Sequence, residues 1–476
     1  MGAVCVMRAG GEGRGREAEA VISGGADTQL ISCRTQNFGR EGETRGGKPR
    51  RLVGGGGLAT GLVTGGGRVL AMCRRVIEGN MEQQVDLYLL PHKPSSSQPK
   101  DKEPARIEEG QPAGIIQCKS PLNITCSALS NDGKILCLAD VACLTIFILV
   151  QNEHDAIVPT PIAAEAWNDT PPHRDLAQIS TLKILHVEGS YQIYCGRPGA
   201  VVVLSLDLDR DDAAPALRLT QRLPLPDDAS PFPVALLDVS PAGDVLAAAA
   251  GSLSPPAAAT HLFRRSAADD PFVHFWSVPR TTVPPSCLAL LPPGEETPLR
   301  LAVAGADNGI QIYDVEARAL AEWSRKTEAL PAELTTRNEG ILRIVPDPRA
   351  PHKFLLGGYG FFCTVDLDRP VPQSAEFFPH DHVRAVAVRK AMKMRGRHIQ
   401  GYQAAQATAA DRDKRDGTAG TDREEEGRGN FVVCLCFDSM LYLGNVGEGE
   451  MVAIERPWTK LREDLPDSLA RKLYGR

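Results

Sequence analysis

From about residue 115 onward, apolar positions come in short runs bounded by turn residues, with no sustained helical period, so the chain predicts strands. Residues 124–129 read as one strand, Ser130-Asn-Asp-Gly133 as a tight turn, and residues 135–138 and 144–150 as two more strands. Gly133 suits the turn because it reaches positive φ without steric cost. The pattern recurs at 182–187, 193–195 and 200–206, then at 234–239, 245–250 and 273–278 around the turn Pro241-Ala-Gly243. A further copy shows four strands, 286–291, 301–305, 310–315 and 320–323, with Asp307-Asn-Gly309 as its turn. Residues 341–345, 354–357 and 361–366 make another, and 383–388, 431–437 and 451–454 a last one.

The copies start at Ile124, Leu182, Ala235, Cys287 and Ile341, in steps of 58, 53, 52 and 54 residues. That exceeds the roughly 40–45 residues of a WD40 unit, and the excess falls in Pro- and Asp-rich loops. A four-stranded antiparallel unit of this size cannot hide both apolar faces alone, so each must stack on its neighbours. The second strands, Leu136-Cys-Leu-Ala, Leu246-Ala-Ala-Ala-Ala and Leu301-Ala-Val-Ala-Gly, are apolar on both faces and rich in small residues. A sandwich strand with a wet outer face would alternate instead. The expectation is an all-β, WD40-type β-propeller of six to seven blades, not all of them complete, behind an irregular N-terminal leader.

The expected boundaries are a Gly/Arg-rich leader at 1–80 with a blade fragment at 21–34, a propeller at 81–458, and a tail at 459–476 with a short helix near 467–474. Within the propeller, 93–113 reads as a solvated loop and 395–428 as a charged insert. Residues 85–90 are a candidate closing strand for the last blade. The leader carries 12 Lys and Arg against 7 Asp and Glu, while the 476-residue chain has a formal charge of −6. Such a balance excludes a surface that is basic throughout and confines any RNA contact to a local patch. One candidate patch is Arg384, Arg389, Lys390, Lys393, Arg395 and Arg397, and the leader is another. Phosphate contacts by such residues are sequence-independent and salt-sensitive, but a charge run in an insert is more often a solvated loop.

Twelve cysteines are spread singly, with no Cys-x-x-Cys pair. Most, including Cys126, Cys137, Cys143, Cys195, Cys363, Cys434 and Cys436, lie in apolar runs, which fits reduced thiols in cytosol or nucleus. No segment approaches the roughly 18 apolar residues of a membrane span, so no membrane partner is expected. His380-Asp-His382 lacks further metal ligands of recognisable spacing and reads better as a buttress before a strand. The glycines at 54–57 and 65–67 lack the Gly-Lys-Ser/Thr of a phosphate loop and read as low complexity. Asp366 and Asp368 share a strand face but need no acid–base role at a strand end. With no nucleophile elbow, metalloprotease helix or kinase signature, the chain reads as non-catalytic, with no cofactor and no metal.

Three short motifs occur in order: Trp323-Ser-Arg325 after a blade's last strand, Phe362-Cys-x-x-Asp366-Leu followed by Pro370-Val-Pro372, and Val452-Ala-Ile-Glu-Arg-Pro457. Together they resemble the cirhin family, U3 small nucleolar RNA-associated WD40 proteins of the small-subunit processome. The likeness covers roughly 115–390 and 430–476. It implies a scaffold acting in nucleolar pre-rRNA processing and 18S rRNA maturation, with a link to rDNA transcription. The partners it implies are other early processome proteins and, directly or indirectly, the 5′ external spacer of pre-rRNA and the U3 snoRNP. The chain departs from the family in lacking most of an N-terminal propeller and in carrying the 395–428 insert. The competing readings are an adaptor of an unrelated intracellular complex, such as a ubiquitin ligase or a trafficking coat, and, ranked last, an enzyme with a site in the central channel. Trp323 and Arg325 are candidate interaction anchors, since Trp and Arg are over-represented among hot spots, although packing between blades explains Trp323 as well.

Overall fold

The structure, a computed structural model, describes residues 63–75, 83–89, 112–118, 124–162, 176–187, 189–208, 215–226, 233–250, 259–267, 270–279, 283–294, 297–327, 329–337, 339–377, 430–435, 439–445 and 451–456, with the backbone of strands at 4–8, 19–24, 30–34 and 50–52. The chain forms two compact units, Met1–Leu237 and Asp238–Arg476.

In the first unit β1 (Val4–Arg8), β2 (Glu19–Gly24), β3 (Leu30–Arg34) and β4 (Arg50–Leu52) make one antiparallel sheet. A second consists of β5 (Val63–Gly66), β6 (Val69–Arg75), β7 (Gln83–Leu89) and β8 (Gly114–Cys118). Next come β9 (Cys126–Leu129), β10 (Ile135–Ala139), β11 (Leu144–Gln151) and β12 (Ile157–Pro161), then β13 (Thr181–Val187), β14 (Ser190–Arg197), β15 (Ala200–Asp207) and β16 (Ala216–Pro224). Each sheet is a meander with its strands in chain order.

Stacking of these meanders is visible in the side chains of β10. Ile135, Cys137 and Ala139 pack with Leu182, Ile184, Ile193, Cys195, Val202 and Leu204 of the following sheet. Leu136 and Leu138, which point the other way, pack with Val69, Ala71, Val85, Leu87 and Ile116 of the preceding one. A strand alternates its side chains between two faces, so a strand covered on both must be apolar at every position. All five residues of β10 are accordingly buried, as are all six of β18 (Val245–Ala250) in the second unit. These strands are the second of four, flanked by a ladder on each side, and are thus central strands of the sheets rather than their inner edge. The exposed positions gather on the fourth strands, such as β12 and β16.

The second unit begins within β17 (Val234–Val239), which pairs with β18, β19 (Ala259–Arg264) and β20 (Val273–Ser277) in that order. It continues with β21 (Pro285–Leu291), β22 (Arg300–Gly305), β23 (Ile310–Asp314) and the two-residue β24 (Ala319–Leu320), followed by the helices α1 (Glu322–Lys326) and α2 (Ala332–Thr335). The next sheet has the order β25 (Arg343–Pro346), β26 (Lys353–Gly357), β27 (Phe361–Asp366), β29 (Val432–Leu435), β28 (Glu376–Phe377), and β30 (Ser439–Asn445) pairs with β31 (Met451–Arg456). Asp238 on β17 accepts the Leu290 N–H of β21 at 2.8 Å, so the first strands of two neighbouring sheets are tied by a side chain. The recurring four-stranded antiparallel meanders, stacked through apolar faces, give the protein a WD40-like β-propeller fold.

Several expectations need correction. Part of the leader is regular: β1–β4 form a sheet, and β5 and β6, before residue 81, open a complete one. Residues 83–89 are a central strand of that sheet, between β6 and β8, and so do not close the last blade. Gly65 and Gly66 end β5 and Gly67 opens the hairpin turn: it has φ +51, and a Cβ there would lie 2.0 Å from the Asp132 backbone of the next sheet's turn. Glycine is demanded by this close approach, which composition alone does not reveal. Residues 432–435 do not belong to the last copy as the pattern predicts but pair with β27, in the sheet of β25–β27. Residues 322–326 are helical, not part of a strand ending at 323, and Cys143 is exposed at a turn. The closing helix near 467–474, the insert at 395–428, both histidines of the 380–382 motif, Arg384 and nearly all of the loop at 93–113 lie outside the described residues.

Candidate interaction site

The loop side of the second unit's last two four- and five-stranded sheets is built on two buried asparagines. Asn308, at the β22–β23 turn, is 2% exposed and has φ +64. Its Oδ1 accepts the Ile341 N–H at 2.8 Å, and its Nδ2 donates toward the carbonyls of Leu334 (3.3 Å), Arg337 (3.3 Å) and Glu339 (3.0 Å). One amide thereby fixes the path from α2 to β25. Asn430 does the same for the segment returning to β29: its Oδ1 accepts from Asp366 N at 2.8 Å and Phe431 N at 3.0 Å, while Nδ2 donates to the carbonyls of Asp366, Arg369 and Pro370. An Asn side chain carries both donor and acceptor, so it can replace backbone partners where the chain leaves the ladder.

Trp323 lies under these loops. It packs against the core that includes Leu334, Ile341 and Phe361, and its ring stacks on Phe431 at 6.3 Å with an interplanar angle of 9°. Ser324 beside it accepts the Ile312 N–H at 2.8 Å, so α1 takes over part of the hydrogen bonding of the shortened β24. Trp323 is therefore a partly buried wedge on α1, not part of an outer strand, whereas Arg325 is exposed on the same short helix. Arg389, Lys390, Lys393, Arg395 and Arg397 lie outside the described residues. The sequence reading missed both asparagines. Asp307-Asn308-Gly309 was legible as a turn, but the reach of Asn308 to residues 334–341 depends on tertiary placement.

Among the described residues, His352, Asp366 and Asp368 present ligand atoms within 4.8 Å of one another and are the group of three His, Cys, Asp or Glu residues that could hold a metal ion. The chemistry already present is different: Lys353 Nζ lies 3.6 Å and Arg369 Nε 3.5 Å from Asp366 Oδ2, and Asp368 N–H donates to Asp366 Oδ1. Two cations balance the carboxylate, which makes an ion-pair network at a strand end.

In the first unit a second network joins adjacent sheets. Asp132 accepts from Ser130 Oγ and from Tyr191 Oη, each at 2.6 Å, and the His186 ring stacks on Tyr191 at 4.4 Å. Partial burial pushes the Asp132 carboxyl up, but the Ser130 and Tyr191 hydroxyls, the Lys134 N–H and nearby His186 outweigh it and hold the group below its ordinary value. The turn itself is repeated: Ser130 Oγ accepts Ile135 N–H at 2.9 Å, and Ser240 Oγ accepts Val245 N–H at 3.0 Å, with Gly133 and Gly243 at φ +75 and +73.

Burial governs the thiols. It raises Cys73, Cys126, Cys287 and Cys363 to about 12 and moves Cys137 and Cys195 higher still. Such groups are core hydrophobes rather than nucleophiles.

No protein-family model and no curated protein matches this chain. The solved structures that are similar in part include two of a COPII coat. One, described as "COPII on membranes, outer coat vertex", shares 15% identity at a TM-score of 0.41, over 64% of this chain and 72% of that one. The other, "The structure of the COPII coat assembled on membranes", has the same identity and TM-score, over 64% of this chain and 40% of that one. The fold assignment rests on the sheets themselves. No helix among the described residues is long and apolar enough to cross a membrane.

Proposed function

We propose that the protein is a non-catalytic WD40 scaffold of the small-subunit processome, acting in nucleolar pre-rRNA processing and 18S rRNA maturation and located in the nucleolus. The observation that carries this reading is the ordered set of motifs at 323–325, 362–372 and 452–457 that resembles the cirhin family. Its first two members both contribute to one loop platform, Trp323 against Phe431 and Asp366 bonded to Asn430, which gives a packing reason for their spacing. Rigid sheets bearing long loops suit a scaffold, because the framework holds its shape while the loops carry contacts. The expected partners are other early processome proteins and, directly or indirectly, the pre-rRNA 5′ external spacer and the U3 snoRNP.

The test is affinity purification of the tagged chain at moderate salt, with bound proteins and RNA identified. Recovery of early processome subunits with U3-associated pre-rRNA is expected. Their absence, together with exclusion of the tagged chain from the nucleus, would overturn the assignment in favour of an adaptor in another complex.

A further inference from the structure

The strand β20 carries a β-bulge. Against β19 its register runs His261 with Ser277 and Leu262 with Trp276, but Phe263 then pairs with His274, so Phe275 is one residue too many. In an unbroken strand, residues three apart point to opposite faces. The extra residue cancels that alternation and brings His274 and Ser277 to one face, beside His261 and Phe263 of β19. The bulge is held from the next sheet. The Phe275 ring meets two guanidiniums, those of Arg264 at 4.7 Å and Arg318 at 4.9 Å, and Arg264 is in turn paired with Glu316. Trp276 meets Tyr313 of β23 edge-on, with ring centroids 5.9 Å apart.

On the face so formed, Ser277 Oγ lies 2.9 Å from His261 Nδ1 and 3.0 Å from His274 Nε2. The two imidazoles stand 5.9 Å apart, centroid to centroid, and His274 also meets the Phe263 ring edge-on at 5.6 Å. His261 is 3% exposed, whereas Ser277 is half-buried and His274 is open to solvent. A hydroxyl has one hydrogen, so Ser277 donates to one ring and accepts from the other. Each imidazole thus directs a nitrogen at the same point, which a bulge has been spent to create.

We propose that His261, His274 and Ser277 form a binding site for a single zinc ion. Neutral imidazole is the commonest protein ligand for metals, and nitrogen donors select zinc and its late transition-metal neighbours over magnesium and calcium, which take oxygens. Zinc holds its nitrogens about 2.0–2.1 Å away. The buried His261 is the fixed member, while rotation of the exposed His274 and of the hydroxyl closes the group around the ion. Two imidazoles and the Ser277 oxygen supply three donors, and the solvent side at His274 leaves the fourth tetrahedral position to water. The His352 group differs, because its Asp366 already meets the cations Lys353 and Arg369. The site does not depend on which complex the chain joins.

Equilibrium dialysis of the metal-free full chain against Zn²⁺, with bound zinc counted by atomic absorption, tests this. Other His and Cys residues of the chain can also take zinc, so the informative quantity is a difference. The wild type should bind one equivalent more than His274→Ala, whose altered side chain is exposed, and one more than His261→Gln. Excess Mg²⁺ should not reduce the wild-type count. In the unaltered chain, Zn²⁺ should protect His274 from carbethoxylation by diethylpyrocarbonate, read by mass mapping. Equal zinc counts in the wild type and His274→Ala, displacement by Mg²⁺, or His274 modified equally with and without Zn²⁺ would each overturn the proposal. So would a His274→Ala variant that loses stability but no zinc, since that marks the group as a structural hydrogen-bond chain.

Discussion

Replacing Asn308 with Ala tests whether the loop platform hangs on one side chain. The substitution leaves the buried Ile341 N–H without an acceptor and takes two hydrogens from the carbonyls of Leu334, Arg337 and Glu339. An orphaned buried polar group costs about 1–3 kcal/mol, and Ala at φ +64 adds roughly 1 kcal/mol, so the expected loss is about 2–4 kcal/mol. Asn308→Gly removes the same hydrogen bonds without the left-handed penalty and should fall about 1 kcal/mol short of the Ala variant. Urea unfolding, followed by the fluorescence of Trp323 against the wild type, gives the midpoint shift for this unit. Hydrogen exchange reports on the clamp more directly: protection at Ile341 should drop by about two powers of ten or more, in step with the free-energy loss. A loss below about 1 kcal/mol with Ile341 still protected would refute the reasoning, because the loop would then be held by its apolar contacts alone.

Other expectations follow from the same geometry. Trp323→Ala, which removes a ring from the core against Phe431, should cost about 3–4 kcal/mol, whereas Arg325→Ala should leave Tm unchanged within about 1 °C; thermal unfolding of both decides whether Trp323 is wedge or surface. Asp132 has a folded pKa below its unfolded one, so its stabilisation is present above the ordinary carboxylate range and is lost as pH falls through it. Tyr191→Phe should cost about 1–2 kcal/mol at pH 7 and flatten stability between pH 5 and 3, measured by urea titration at each pH; an unchanged slope would remove Asp132 as the cause. Among the described cysteines, Cys143 should be alkylated first in the native protein, while Cys137 and Cys195 should react only on unfolding, as mass mapping after brief iodoacetamide treatment will report.

Within the described residues, the hydrophobic pattern by itself determined the repeating strands, because a strand covered on both faces must be apolar throughout, and residues 135–138, 245–250 and 301–304 carry that mark in one dimension. Fourth strands such as β12 and β16 escaped notice, since an edge with one wet face mixes polar and apolar residues and looks like loop. The hairpin turn at Gly67 and the strands around it were hidden by low complexity, as glycine spelled for close approach is indistinguishable from glycine spelled for freedom. What only the tertiary structure decided is the pairing of distant groups. Asn308 with Ile341, Asn430 with Asp366, Tyr191 with Asp132 and Arg343 with Tyr442 are 33, 64, 59 and 99 residues apart, and hydrogen bonds and ring contacts over such separations leave no periodic trace in the sequence.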